Sequence, residues 1–500
     1  MDDRPDLTSP RRIHLVGIGG AGMSAIATVL VAMGHRVSGS DEVDSPVVGR
    51  LLALGVAVHL GHDPAWAADA DMVAASTAIP AGNAELVAAA GRGQRVWRRG
   101  EILAAICATR RTVAVSGSHG KTTTSALLAE VLRHAGRHPS MIVGGDVAGI
   151  GSGGAWDPEG EWLVVEADES DGTFLQLGAE AVVVTSVGSD HLDYFGDLGA
   201  LRAAFHRFVA DAPGPAVLCA DDAEAAALAT AGPGSGETTA GTASIGAGAE
   251  PAGAGPRLTY GTAPGADVRI VEVIQGRSES TFFLAHTDGQ ESGPYRVGVP
   301  GMHNVRNATA ALTAANALGV PWAEGAVGLA AFGGVGRRFE VRGERDGVTV
   351  VDDYGHNPDK VRATLQAARA GGWDRVVVLF QPHRYSRTEL LWREFADAFE
   401  DADLLVVTGI YGAGELPRPG VTGRPVPPDV PSGVVDDPGR LPGRAHTGRH
   451  LGHQAARDAV GRVRPARSRG GRDRRCGDAF GRPGHDALSR RPAAGTACRP

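Results

Sequence analysis

A glycine turn carrying a lysine, set between an apolar run and a helical run, restricts this chain to few folds. Ser116-Gly117-Ser118-His119-Gly120-Lys121-Thr122-Thr123-Thr124 follows Arg111-Thr112-Val113-Ala114-Val115 and precedes an apolar-periodic stretch over residues 125–132. Strand, glycine turn and helix in that order aim a helix N-terminus and several backbone N–H groups at one anion. The lysine stands out because the chain contains only two, Lys121 and Lys360, a bias expected of a GC-rich genome. A retained ammonium there fits a nucleotide-phosphate loop. Gly117, Ser118, His119 and Gly120 cradle phosphate oxygens, Lys121 reaches the β/γ-phosphates, and Thr122 ligates Mg²⁺ with Thr123 beside it. The strict eight-residue pattern has glycine where Val115 stands, so this is a shortened variant. A Gly/Ser turn before an ordinary helix is the alternative.

An earlier turn repeats the arrangement without a lysine. Arg12-Ile13-His14-Leu15-Val16 reads as a strand, Gly17, Gly19, Gly20 and Gly22 as a turn, and residues 23–33 as a helix. A second strand ends in Asp41, and the rhythm continues to Cys107. Gly17, Gly19 and Gly22 form G-x-G-x-x-G, which allows close approach to a pyrophosphate, while the acid meets a ribose hydroxyl. The glycines leave the nucleotide open, and a tight turn is the bland alternative. Two nucleotide sites in one chain suggest that a nucleotide-linked substrate and ATP meet.

Length and composition bound the rest. Five hundred residues, 43% hydrophobic and 21% charged, suit a soluble protein of about three domains. No apolar run approaches a membrane span, and the acidic, polar N-terminus is not a signal peptide. Four scattered cysteines, Cys107, Cys219, Cys476 and Cys498, form no zinc or disulfide pattern, so the expected compartment is the cytoplasm. A net charge of −8 argues against nucleic acid as a partner.

Further strands end in polar clusters, where ligands of open α/β sheets gather. Glu166 closes an apolar run in Val164-Val165-Glu166-Ala167-Asp168-Glu169-Ser170-Asp171 and can hold Mg²⁺ opposite Thr122. His191 follows the next strand end and could share a metal or be structural. Asn304 and Asn307 could bond a base edge or cap a helix, and Arg338 could meet phosphate or a surface acid. Tyr354 and His356, then Arg384 and Arg387, fall in polar clusters after the apolar runs 348–351 and 375–380.

Taken in order, these motifs resemble the Mur ligases, the ATP-dependent amide-bond-forming enzymes of peptidoglycan precursor synthesis. The resemblance runs from about Arg12 to about Gly423. It implies an α/β chain of three domains. These are a Rossmann-like UDP-sugar-binding domain at 1–108, a P-loop ATPase domain at 109–320 and a Rossmann-like ligase domain at 321–423. ATP would activate the lactyl carboxylate of UDP-N-acetylmuramate as an acyl phosphate, and the amine of L-alanine would attack it. Lys121 would neutralise phosphates, Thr122 and Glu166 would hold one Mg²⁺, and His191 would help hold a second. Asn304 and Asn307 would lie on the adenine side, Arg338 on phosphate, and Tyr354, His356, Arg384 and Arg387 around alanine. Ser186 and Gly188 depart from the family, which has Asn and an acid there, and Asn357 replaces a second histidine. The member that recycles a murein tripeptide shares the middle motifs but is expected to differ at the first glycine turn.

The tail departs furthest. Residues 424–500 hold 16 Arg and 7 Asp, with no Lys or Glu, so they carry +9 and the preceding residues −17. The switch to Arg, Pro and Gly points to a shifted reading frame and a tail that is not natively folded. Residues 482–488 can be back-translated so that another frame reads Asp-Leu-Val-Met-Thr-Leu. Two alternatives to an active ligase follow. One is a catalytically impaired nucleotide-binding remnant. The other is an NAD-dependent dehydrogenase, which leaves Lys121, Glu166 and His191 unexplained.

Overall fold

The computed structural model describes residues 4–188, 192–230 and 255–422. His191, residues 231–254, which are rich in Gly, Ala and Thr, and the tail from 424 lie outside the described residues.

The first unit alternates strand and helix. Its elements are β1 (Arg12–Val16), α1 (Ala21–Ala32), β2 (Arg36–Asp41), α2 (Pro46–Ala53), β3 (Ala57–Leu60), β4 (Met72–Ala75), α3 (Ala84–Gly91), β5 (Val96–Arg98) and α4 (Arg99–Cys107). The strands form one parallel sheet in the order β3-β2-β1-β4-β5. β1 is central, and Ile13, Leu15 and Val16 are fully buried, as a strand covered on both faces must be. Local signals set the helix starts. Ser45 accepts from the Val48 amide with Pro46 at the first helical position, and Asn83 accepts from the amides of Glu85 and Leu86.

The second unit contains β6 (Arg111–Ser116), α5 (Lys121–His134), β7 (Ser140–Ile142), β8 (Gly154–Ala155), β9 (Trp162–Glu166), β10 (Ala181–Val184), α6 (Leu192–Phe195), α7 (Leu198–Ala210), β11 (Ala216–Cys219), α8 (Ala223–Thr230), β12 (Arg257–Gly261), β13 (Val268–Gln275), β14 (Ser280–His286), β15 (Glu291–Val297), α9 (Met302–Ala317) and α10 (Trp322–Ala331). One sheet runs β15-β14-β13-β12-β11-β10-β6-β9-β7-β8. β6 lies parallel between β9 and β10, so the phosphate turn emerges between the ends carrying Glu166 and Ser186. The antiparallel β13-β14-β15 meander extends the parallel sheet, an addition that the apolar runs do not announce. Its signal is weaker: Ser280, Phe282 and Leu284 are buried at a period of two. α10, just past the expected boundary at 320, packs on α5, α9 and β15.

The third unit holds β16 (Glu340–Arg345), β17 (Val348–Asp352), α11 (Pro358–Ala370), β18 (Val377–Phe380), α12 (Tyr385–Ala398) and β19 (Leu404–Val407). β16 and β17 form an antiparallel pair, β18 and β19 a parallel one. Val361, Leu365, Phe380, Phe395, Phe399 and Leu405 make a core of its own. The first two units instead share one continuous apolar core through α1 and α4. Among the described residues no helix is long and apolar enough to cross a membrane.

Candidate functional site

The phosphate turn is shaped by two glycines. Gly117 has φ +133°, and a Cβ there would lie 2.7 Å from the Ser186 carbonyl oxygen. Gly120 has φ +81°, and a Cβ would collide with Asn307 Oδ1. Both positions exclude larger residues by conformation and by space. The Ser118 amide donates to Ser186 O at 3.1 Å, and the His119 amide to Ser186 Oγ at 3.0 Å. Gly188 donates its amide to Ser118 Oγ at 2.7 Å. Ser186 and Gly188, the departures from the family pattern, therefore fasten the turn to the end of β10.

Lys121 begins α5 with its side chain 13% exposed. Nζ donates to Glu169 Oε2 at 2.7 Å and lies 4.0 Å from Asp168 Oδ1. Burial pushes its pKa down, but Glu169 and Asp168 outweigh burial and hold it above the ordinary value. The ammonium is charged. Thr122 Oγ1 donates to Glu166 Oε1 at 2.9 Å, and Glu166 Oε2 accepts the Gly144 amide at 2.6 Å. Among the described residues no three His, Cys, Asp or Glu side chains gather to hold a metal ion.

Asn304 and Asn307 stand at the start of α9, buried against this turn. Asn304 Nδ2 donates to Pro300 O at 2.7 Å, and Asn307 Nδ2 to Asn304 Oδ1 at 3.3 Å. The third unit closes over the same edge. His119 Nε2 lies 3.7 Å from Asp359 Oδ2 on α11, and this contact first of all holds the Asp359 pKa below its ordinary value. Arg338 places its guanidinium 5.5 Å from the Tyr354 ring centre.

Tyr354, His356 and Arg387 meet around His383. The Tyr354 and His356 ring centres are 4.8 Å apart, those of His356 and His383 5.8 Å, and Arg387 Nη1 reaches His383 Nδ1 at 3.1 Å. Burial, then the charges of Lys360 and Arg387, lower the His356 pKa to about 2. His356 is thus neutral, and its 2.8 Å contact with Tyr354 O places the proton on Nδ1. Arg384 has φ +70° and donates its amide to Tyr411 O at 2.8 Å, which fixes the turn into α12. Tyr411, its ring centre 5.6 Å from that of His383, completes a cluster that sequence reading gave only in part. The available signal was its position soon after β19.

At the first glycine turn, Asp41 Oδ2 accepts the Gly19 amide at 2.8 Å, and Oδ1 accepts the Val43 amide at 3.1 Å. Beneath it lies a network that sequence reading missed. Glu85, fully buried, meets His14 Nε2 at 2.6 Å, His62 Nδ1 at 2.8 Å and Ser40 Oγ at 3.0 Å. These residues come from α3, β1, the segment after β3, and β2, so no local motif announces them.

A buried charged lysine on one glycine turn, with an uncharged turn on the adjoining parallel sheet, defines a multidomain P-loop nucleotide-binding protein of the α/β class. Residues 12–111 match the family model described as Mur ligase family, catalytic domain. Residues 115–315 match the Mur ligase middle domain, and 337–425 the Mur ligase glutamate ligase domain. The UDP-N-acetylmuramate–L-alanine ligase of Geotalea daltonii is 42% identical over 82% of this chain and 85% of that protein. The ligase of the same name from Acidothermus cellulolyticus is 44% identical over 85% and 87%. The crystal structure of UDP-N-acetylmuramate-alanine ligase from Thermotoga maritima aligns at TM-score 0.66 and 28% identity, covering 81% of this chain and 86% of that one. A murein peptide ligase from Psychrobacter arcticus shares the fold at TM-score 0.60 and 23% identity, over 81% and 85%. The chain belongs to the Mur ligase family.

Proposed function

We infer that the chain joins L-alanine to the lactyl carboxylate of UDP-N-acetylmuramate with consumption of ATP, a cytoplasmic step of peptidoglycan precursor synthesis. The observation that carries this is the Lys121 turn, with its ammonium on Glu169 and Thr122 paired to Glu166. It stands in a chain 42–44% identical to ligases of that name.

The chemistry demands such a turn. A carboxylate resists attack by an amine because oxide is a poor leaving group, and phosphorylation supplies a better one. Lys121 would leave Glu169 for the transferring phosphate, and the amides of residues 117–120 would hold its oxygens. Thr122 and Glu166 would hold Mg²⁺: both offer hard oxygens, and the two side chains stand side by side at the turn. When bound, the ion neutralises charge on the phosphates. His191 would complete a second ion's ligands.

Asn304 and Asn307 would face adenine and Arg338 phosphate. Arg384 and Arg387 would pair with the carboxylate of alanine. A neutral His356 can accept from the incoming ammonium through Nε2 without repelling it. Gly17, Gly19, Gly20 and Gly22 would take the UDP diphosphate, with Asp41 moving from the Gly19 amide to a ribose hydroxyl.

The test is phosphate release that requires both UDP-N-acetylmuramate and L-alanine, run beside Lys121→Ala. Release in wild type and its loss in the variant are expected. Binding of both nucleotides without turnover would mean an impaired remnant.

A further inference from the structure

The first glycine turn lacks what a diphosphate needs. Residues 17–22 carry no basic side chain, and the nearby carboxylate of Asp41 occupies the Gly19 amide. Backbone N–H groups and the α1 dipole alone would face two negative phosphates.

A cation stands beside the turn, contributed by α4. Arg99 Nη1 lies 3.0 Å from the position of a Cβ on Gly22, so its guanidinium rests against the start of α1. The side chain is 22% exposed. Its nearest anions are Asp171 Oδ2 at 3.7 Å and Asp168 Oδ2 at 3.9 Å, beyond hydrogen-bond reach. Its guanidinium makes no hydrogen bond with the described residues. Five N–H donors in a planar fork, suited to phosphate oxygens, are thus held loosely. Position is fixed from behind: a Cβ on Gly100 would run into the Thr173 side chain, so α4 packs tightly on the acid loop. Asp168 also lies 4.0 Å from Lys121 Nζ, so one carboxylate stands near cations of both turns.

We propose that Arg99 is the diphosphate ligand of the UDP-sugar site, and that Asp168 and Asp171 are the stand-in anions it leaves when the substrate binds. This rests on the reading that residues 17–22 hold the UDP moiety. The acid loop then serves each turn alike: Glu169 holds Lys121, and Asp168 and Asp171 hold Arg99, until phosphates replace them.

Binding of UDP and of uridine, read by ligand-observed NMR without ATP, tests this. Arg99→Ala should weaken UDP about 10- to 100-fold, the range for losing hydrogen bonds to a charged group, and leave uridine unchanged. Arg99→Lys keeps the charge without the fork and should fall between. Asp168→Asn removes a competing carboxylate and should tighten UDP. In turnover, Arg99→Ala should raise KM for UDP-N-acetylmuramate far more than it lowers kcat. UDP binding at wild-type strength in Arg99→Ala, or equal loss of UDP and uridine in both Arg99 variants, would overturn the proposal. If wild type bound neither ligand, the reading of the turn itself would fail, and the proposal with it.

Discussion

The two glycine turns share one backbone plan and differ in where their charge comes from. Each joins a buried parallel strand to a helix and points amides at the sheet's C-terminal edge. The second carries its own ammonium, Lys121, and its own hydroxyl, Thr122, inside the turn. The first carries neither, and the cation beside it is Arg99, from a helix about eighty residues further along. The second turn also leaves less room. A Cβ at Gly117 meets backbone, whereas one at Gly19 meets the Asp41 side chain, which can swing away. Both turns are legible as motifs, but a cation contributed from a distant helix is legible only in three dimensions.

The largest effect should separate the turns by charge. Lys121→Ala is expected to cut turnover by about 10³-fold or more, since it removes preorganised charge at the transferring group. UDP binding at the first turn should persist. The same variant leaves Glu169, 1% exposed, without its ammonium and should melt earlier. Adding Glu169→Gln should recover the melting temperature and not the turnover. Recovery of both would reduce Lys121 to a structural ion pair. Next in size, Glu166→Gln should lower kcat by about 10²-fold and raise the Mg²⁺ concentration needed for half activity. An unchanged Mg²⁺ requirement would remove Glu166 from the metal site.

Stability should separate the turns by space. Gly117→Ala meets a φ of +133° and the Ser186 backbone, and should cost about 2–3 kcal/mol in denaturant unfolding. Gly19→Ala should cost about 1 kcal/mol or less, because its φ is not in the left-handed region and Asp41 can turn. Equal costs would erase the contrast.

How far the sequence could be read follows the same division. Strand, turn and helix around Lys121 were legible because the chemistry is contiguous, and Glu166 was legible as the polar end of an apolar strand. The structure brings Thr122 and Glu166 together through one hydrogen bond. Arg99, Asp359 and the Glu85 network were not legible. Each meets its partner across a unit boundary or after a sheet crossover, where spacing carries no signal. The β13-β15 meander was missed for another reason: apolar runs mark strands buried on both faces, while a half-buried meander shows only alternation.

Acid should unlock the two regions in different pH windows. Near the second turn, burial chiefly, with Arg306 and Arg338 adding to it against Asp353, lowers the His303 pKa from 6.5 to about 4. The folded state then binds fewer protons than the unfolded chain between those values. Stability must therefore rise with pH across that window and be lost as pH falls from 6.5 toward 4. Under the first turn, burial pushes the Glu85 pKa up, but hydrogen bonds from His14, His62 and Ser40 outweigh it and hold it below its ordinary 4.5. That contribution is complete above 4.5 and lost only as pH falls lower. Melting temperature against pH should show the order. His303→Gln should flatten the decline between pH 6.5 and 5 by a few degrees, about the size of one kcal/mol in a domain of this size. Glu85→Gln should lower the curve at pH 7. If His303→Gln ran parallel to wild type in that window, the seam between α9 and the third unit would not be the first part of the molecule that acid loosens.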